Sequence, residues 1–574
     1  MNLLPAPRAA SFGTARVDGA PPEVRTGVTG LPAEGYHLVI RDDGTVTVDA
    51  ADPAGAAHAE RTLTQLRRLH DGRLPVGEVD DAPDVPIRGV MLDISRDKVP
   101  TMATLRALVD RLAEWKINHL ELYAEHTFAY EDHDVVWRDA SPLTAAEVRE
   151  LDAWCAERHI ELVPNQNCLG HMSRWLRHDE YRALAMAPEG YEQLGIRRGP
   201  STLEPADPRS LALVRGLLAE LLPCFSSTRF VNVGLDEPWE MPPERVGDYL
   251  DWVRQLRALP EVAGRELVIW SDVLAGDPGR IRALPDGVTA CEWGYDAGHP
   301  FAARAATYAE CGRSFWTAPG TSSWLTILGR TTNMRANCAE AVDATVAHGG
   351  GGVLITDWGD QGHLQYLPVA EPGLAYGAAV AWSANANRDL DLGAALSTHC
   401  YDDPTGELAA TLLRLGDLHT LLTPQIGNLA TLVMHLYWPQ LTLGRGLLAG
   451  ARAEEYAAVA AALDECAAAL SRSRPGRADG ELVLDELRNS IALVALLCRD
   501  AQLRLAGDGT LPSVPETDRA ELATTLAGIT EEHERLWLAR NRPGGLADSR
   551  AWLDHLRRCY ETGTVERGWG GPQS

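Results

Sequence analysis

Asp236 and Glu237 are adjacent carboxylic acids at the end of the apolar run Val231-Asn232-Val233-Gly234-Leu235, with Pro238 and Trp239 directly after them. Neighbouring acids at a strand end can be driven to opposite protonation states, one kept charged by hydrogen bonds and the other kept neutral by apolar surroundings. Such a pair can perform acid and base work together. Successive residues of a regular strand face opposite sides, so the two acids converge only if the backbone bends. Gly234 and Pro238 make a bend available.

The elements that position this pair follow from hydrophobic periodicity. Eight short apolar segments have strand character: 88 to 95, 119 to 125, 161 to 167, 230 to 237, 266 to 272, 288 to 294, 314 to 320 and 353 to 359. Amphipathic stretches separate most of them. Leu105, Leu108, Val109 and Leu112 recur at helical spacing in one, and Leu213, Val214, Leu217 and Leu221 in another. This alternation predicts a closed (β/α)8 TIM barrel over residues 85–388 rather than an open sheet. Before it, alternation on both sides of Asp43-Gly44 predicts a hairpin, and Leu63, Leu66 and Leu69 mark a helix. Residues 1–84 are therefore read as a small N-terminal α/β domain. After it, residues 389–574 lose strand character and read as an α-helical domain, with patterns over 456 to 470 and 482 to 505. Gly349 to Gly352 lack the lysine and hydroxyl of a phosphate loop and read as a helix-to-strand turn.

In such barrels the reacting groups gather at the C-terminal ends of the strands. Strand one ends in Asp93-Ile94-Ser95-Arg96, strand two in Tyr123-Ala124-Glu125-His126, and strand three in Asn165-Gln166-Asn167 with Gly170-His171 close behind. Strands five to eight bring Trp270, Trp293, Trp316 and Trp358, the last within Asp357-Trp358-Gly359-Asp360. Indole faces suit the C–H faces of a sugar, while carboxylates, amides and arginine satisfy its hydroxyls. His126 and His171 stand in no His-x-His or HExxH spacing, so no metal centre is expected.

The bulk properties narrow the partners. With 53 basic against 80 acidic residues the formal charge is -27, which argues against a nucleic-acid partner. Ten cysteines without a CxxC pair read as reduced thiols. Met1 to Ala20 has no basic flank before an apolar core, and no segment approaches eighteen unbroken apolar residues. The expectation is a cytoplasmic protein with no membrane partner and a small neutral substrate. The amphipathic faces of the helical tail fit either a homodimer interface or a buttress for the barrel.

One glycosidase layout places its acid and its nucleophile on strands four and seven, but residues 314 to 320 contain no carboxylate. If both acids lie on strand four, another group must attack the anomeric carbon. The substrate's own 2-acetamido oxygen is the natural candidate, which is substrate-assisted catalysis.

These residues resemble glycoside hydrolase family 20, the β-N-acetylhexosaminidases, over about residues 34 to 385. The resemblance rests on Arg88-Gly89 opening strand one, Asp93 to Arg96 closing it, and Val163-Pro164-Asn165-Gln166-Asn167. Gly170-His171-Met172, Asp236-Glu237, Pro319-Gly320-Thr321-Ser322-Ser323-Trp324 and Thr356 to Asp360 complete it. The helical tail matches a branch of that family. The resemblance implies that Asp236 orients and polarises the acetamido group, and that Glu237 protonates the leaving oxygen and then activates water. It implies that Arg96 clamps sugar hydroxyls, that Trp270, Trp293 and Trp358 wall the pocket, and that Glu125, His126, Asn165, His171, Trp324 and Asp360 also bind substrate.

The implied activity is exo-acting, retaining hydrolysis of terminal β-linked GlcNAc or GalNAc on glycans or glycosides. The alternatives are a glycosidase of other specificity and a noncatalytic sugar-binding protein on the same barrel. The chain departs from the family's usual His-x-Gly-Gly/Ala-Asp-Glu in carrying Asn232 and Leu235, so the network behind the acids is expected to differ. No tyrosine lies in residues 314 to 324, which leaves the donor to the acetamido oxygen unassigned.

Overall fold

The computed structural model describes residues 2–193, 196–226, 228–274, 276–566 and 571. The chain opens with a five-stranded sheet of β1 (Ala9–Val17), β2 (Glu23–Arg25), β3 (Tyr36–Ile40), β4 (Val46–Ala50) and β5 (Leu74–Asp81), in the order β1-β5-β3-β4-β2. Gly44, at φ +86°, turns the β3–β4 hairpin, a conformation open to glycine without steric cost. The helix Pro53–Leu69 starts at Asp52, whose side chain accepts from the Gly55 N–H, and buries Leu63 and Leu66 against the sheet. Alternation exposed β3 and β4 in the sequence, whereas β1, β2 and β5 carry weaker patterns.

The eight apolar segments form one parallel sheet: β6 (Ile87–Asp93), β7 (His119–Tyr123), β8 (Glu161–Val163), β11 (Phe230–Asn232), β12 (Glu266–Trp270), β13 (Val288–Trp293), β14 (Phe315–Ala318) and β15 (Gly352–Asp357). Between β8 and β11 lies a small hairpin, β9 (Tyr191–Gln193) with β10 (Ile196–Arg198), which the sequence pattern did not reveal. The order runs β11-β12-β13-β14-β15-β6-β7-β8, and the eighth interface is closed by irregular contacts. There the Asn232 N–H donates to Pro164 O at 2.9 Å and the Gln166 N–H to Asn232 O at 3.0 Å. The strands are shorter than the apolar runs because the last residues of each run leave the ladder to form the site.

Inside this barrel Glu121 accepts from Asn165 Nδ2 and Asn232 Nδ2, both at 2.8 Å, and faces His119 Nε2 at 2.8 Å. This buried carboxylate is satisfied on both oxygens, as its low-dielectric surroundings require. Asn232 therefore has a structural task below the acids. Gly349, at φ +71°, caps the helix Thr331–His348 ahead of β15, in keeping with the turn read from the sequence.

From residue 389 onward the described regular structure is helical, including Ala453–Leu470, Gly480–Ala506, Glu516–Arg540 and Leu546–Thr562. One apolar cluster runs without interruption from the barrel into these helices. Buried charges also tie them together: Glu371, on the helix Leu367–Trp382, lies 2.9 Å from Arg477 and 3.3 Å from Arg111. Removing one partner would strand the other charge in the interior. Among the described residues no helix is long and apolar enough to cross a membrane.

Candidate active site

The two acids converge because the chain leaves β11 through left-handed backbone. Gly234 has φ +71°, Leu235 +75° and Glu237 +47°, a cluster that is sterically costly for residues with a Cβ. A Cβ on Gly234 would lie 1.8 Å from Asn167 Oδ1, the atom that accepts the Leu235 N–H at 3.2 Å. The bend expected at Gly234 is present, and Asn167 holds it.

Both acids consequently meet one imidazole. His171 Nε2 is 3.2 Å from Asp236 Oδ2 and 3.4 Å from Glu237 Oε2. On its other side His171 Nδ1 is 3.3 Å from Arg96 Nη2 and 3.9 Å from Glu125. Burial and the nearby Arg96 disfavour the imidazolium, but the carboxylates of Asp236 and Glu237 outweigh them and raise its pKa well above the ordinary histidine value. Burial likewise opposes charge on Asp236, yet His171 and then Arg96 hold its carboxyl below the usual range. Asp236 Oδ1 is buried and has no hydrogen-bond partner among the described residues. Glu237 is more open, with 31% of its side chain exposed.

Arg96 is fixed from four directions. Its Nη1 donates to Asp93 Oδ2 at 3.3 Å, its Nε lies 3.4 Å from Glu125 Oε1, and its guanidinium sits over the rings of Tyr123 and Trp358 at 4.6 and 5.0 Å. Asp93 also accepts the backbone N–H groups of Ser95, Arg96 and Gly359 at 2.8 to 3.0 Å, which joins the ends of β6 and β15. Asp360 lines the same cleft, and burial, opposed by Arg96, pushes its carboxyl up to about 6.

The indoles are arranged around a tyrosine. Trp358 donates from Nε1 to Tyr295 Oη at 2.8 Å and packs at 5.7 Å against Trp270, while Trp293 stacks on Tyr295 at 5.3 Å. Tyr295 stands two residues past β13 and close enough to Asp236 to feel its charge. Sequence reasoning sought a tyrosine on strand seven, whereas strand six supplies this one.

The cleft, of about 260 Å³, brings together Arg96, Glu125, His171, Glu237 and Asp360. Other expected residues lie elsewhere. His126 faces a separate cavity with Asp97, Asp139, Arg174 and Arg177. Asn165 is in the barrel interior on Glu121. Trp324 is fully buried, edge-on to Tyr295 at 5.0 Å. Trp316, read as a strand-end residue, is the second residue of β14. It packs at the opposite mouth of the barrel against His119 and Phe230, at 5.3 and 4.9 Å. The Pro319 to Trp324 segment serves the framework, since Thr321 and Ser323 donate to Asp357 at 2.7 and 2.6 Å.

Two residues that sequence reasoning missed stand out. Asp272, two past Trp270, accepts the Glu237 N–H at 2.9 Å. Burial, then the charges of Asp236 and Glu237, push its carboxyl up to about 7. Trp552, on the helix Leu546–Thr562, reaches the cleft from the C-terminal region and touches Tyr437 at 5.5 Å between ring centres. The first is the last residue of the apolar run 266 to 272 and nothing set it apart, while nothing local signalled the second.

Comparison with known proteins bears on the family and the fold. A curated β-hexosaminidase of Vibrio furnissii is 26% identical over 238 residues, covering 36% of this chain and 38% of the relative. Hexosaminidase D of Bos taurus is 24% identical over 295 residues, covering 45% of this chain and 81% of the relative. The chain thus spans well under half the length of the Vibrio protein. The solved structure of the GH20 β-N-acetylhexosaminidase from Streptomyces coelicolor A3(2) superposes with a TM-score of 0.55 at 20% identity, over 69% of this chain and 95% of that one, a likeness of fold. Residues 86–333 match the family model of the glycosyl hydrolase family 20 catalytic domain and residues 3–82 match its domain 2, together more than half of the chain. The chain belongs to glycosyl hydrolase family 20.

Proposed function

We propose that this protein is an exo-acting, retaining β-N-acetylhexosaminidase that uses its substrate's acetamido group as the nucleophile. The observation that carries the reading is Asp236 Oδ1, a buried carboxylate oxygen left without a partner beside the more open Glu237. A buried acceptor of this kind calls for a donor, and the N–H of a 2-acetamido group is one. With Asp236 accepting that N–H, the amide oxygen gains nucleophilicity and attacks the anomeric carbon. The C1–O bond to the leaving group breaks as Glu237 gives its proton to the departing oxygen. The ionised Asp236 stabilises the positive oxazolinium that results. Water then adds to the anomeric carbon and loses a proton to Glu237, and the ring opens to regenerate the amide. Two inversions at one carbon retain the β configuration.

Tyr295, beside Trp358 and near Asp236, is the donor this reading assigns to the acetamido oxygen. Arg96, Glu125 and Asp360 take the hydroxyls at the closed end, which accounts for exo-action on a terminal GlcNAc or GalNAc.

Hydrolysis of a chromogenic β-GlcNAc glycoside tests the reading. Glu237→Gln and Asp236→Asn should each lower kcat by about 10²- to 10⁴-fold while sugar binding persists, and a thiazoline analogue of the oxazolinium should inhibit tightly. An unimpaired Asp236→Asn enzyme would reject substrate assistance. Binding without any hydrolysis by the unaltered protein would identify a noncatalytic sugar-binding protein.

A further inference from the structure

Outward from Glu237 the cleft is lined by side chains that the proposed chemistry does not use: Tyr191, Arg198, Trp239 and Trp552. Trp239 is 51% exposed, two residues after the proposed general acid, and its backbone N–H donates to Glu237 O at 2.7 Å. An indole left in water at the mouth of a cleft offers a face for a sugar ring. Trp552 approaches from the C-terminal helix against Gly362, where a Cβ would come within 2.4 Å of its Cδ1. That close fit fixes a second indole at the same mouth.

Arg198 supplies a charge. It ends β10, and its Nε is buried without a hydrogen-bond partner among the described residues. Glu240 makes its hydrogen bonds elsewhere. That carboxylate is occupied by the Ser201 N–H at 2.6 Å, the Ser201 hydroxyl at 3.0 Å, the Thr202 N–H at 3.0 Å and the Thr202 hydroxyl. In a chain of formal charge -27, an arginine that lines a cleft with its Nε unpartnered is a site for a carboxylate.

We infer that this outer region is a leaving-group subsite for an acidic sugar, with Trp239 and Trp552 against its ring and Arg198 on its carboxylate. The inference rests on the hexosaminidase reading only in placing the leaving group on the Glu237 side.

The test compares a disaccharide with β-GlcNAc on a uronic acid, its uronate methyl ester, and a pair with a sulfated and an unsulfated neutral sugar in the leaving position. The unaltered protein should favour the acid over the ester in kcat/KM by roughly tenfold. Arg198→Met should bring that ratio close to one, and Arg198→Lys should keep part of it. A ratio near one in the unaltered protein, a ratio that Arg198→Met leaves intact, or a preference confined to the sulfated sugar would overturn the inference. Failure to cleave even a nitrophenyl β-GlcNAc glycoside would sink the hexosaminidase reading instead. Calorimetric binding of the acid and the ester to Glu237→Gln then decides the subsite by the same ratio.

Discussion

At the residue scale, the chemistry depends on a short piece of unfavourable backbone and on what holds it. Leu235 and Glu237 both occupy the left-handed region, and the Glu237 N–H is held by Asp272 at 2.9 Å. Asp272 does not line the cleft, and in the proposed mechanism it is a positioning residue for the general acid. Asp272→Ala should lower kcat by about 10- to 100-fold with little change in KM, and Asp272→Asn, which retains an acceptor, should restore most of it.

The same residue gives a signature in stability against pH. Its carboxyl keeps a proton to about pH 7 in the folded chain but releases it near the usual pH of about 4 when unfolded. Between those values the native state binds more protons, so this contribution to stability falls as pH rises through the window and is constant above it. Melting curves from pH 4 to 8 should show the unaltered protein losing ground to Asp272→Asn by a few degrees, roughly, as pH rises. Parallel curves would show that Asp272 is already charged. Asp236 and Glu237 were legible in the sequence because an apolar run ended in them. Asp272 was not, since a carboxylate that supports a neighbour's backbone looks like any other acid after a strand.

At the scale of elements, all eight barrel strands were visible as apolar runs, because parallel strands buried on both faces leave an uninterrupted apolar record. Where each strand stops was less legible. The runs continue past the ladder into buried loops, so Trp316 was counted at the wrong mouth although only its position along β14 decides the matter. The hairpin β9–β10 has three residues in each strand, too few for alternation to register. Trp552 lies on a helix more than 300 residues from the acids, and no local pattern can report such a contact. Trp552→Phe keeps an aromatic ring beside Tyr437 but shortens its reach. It should raise KM for a disaccharide several-fold while leaving KM for a small nitrophenyl glycoside nearly unchanged. Equal effects on both substrates would mean that Trp552 shapes the inner pocket, and no effect would remove it from the site.

At the scale of the whole molecule, the barrel does not work alone. Its apolar core is continuous with the C-terminal helices, and the Glu371 carboxylate is buried between arginines from both regions. Trp382 links the other end, donating from Nε1 to Asp81 of the N-terminal sheet at 2.8 Å. The family matches stop at residue 333, yet Asp360 and Trp552 line the cleft from beyond that point. A bent strand end, its imidazole and the helical buttress together leave a buried Asp236 oxygen without a partner among the described residues beside the cleft. In the proposed mechanism the substrate supplies that donor on an amide able to act as a nucleophile.

Fluorination of that amide tests the demand directly. Across glycosides bearing acetyl, fluoroacetyl, difluoroacetyl and trifluoroacetyl groups on the 2-amino nitrogen, each fluorine withdraws electrons from the carbonyl oxygen while the leaving group stays the same. Participation by the substrate requires kcat/KM to drop steeply along the series, by about two orders of magnitude or more from the first member to the last. A flat series would contradict it, and would assign the attack on the anomeric carbon to a group of the protein.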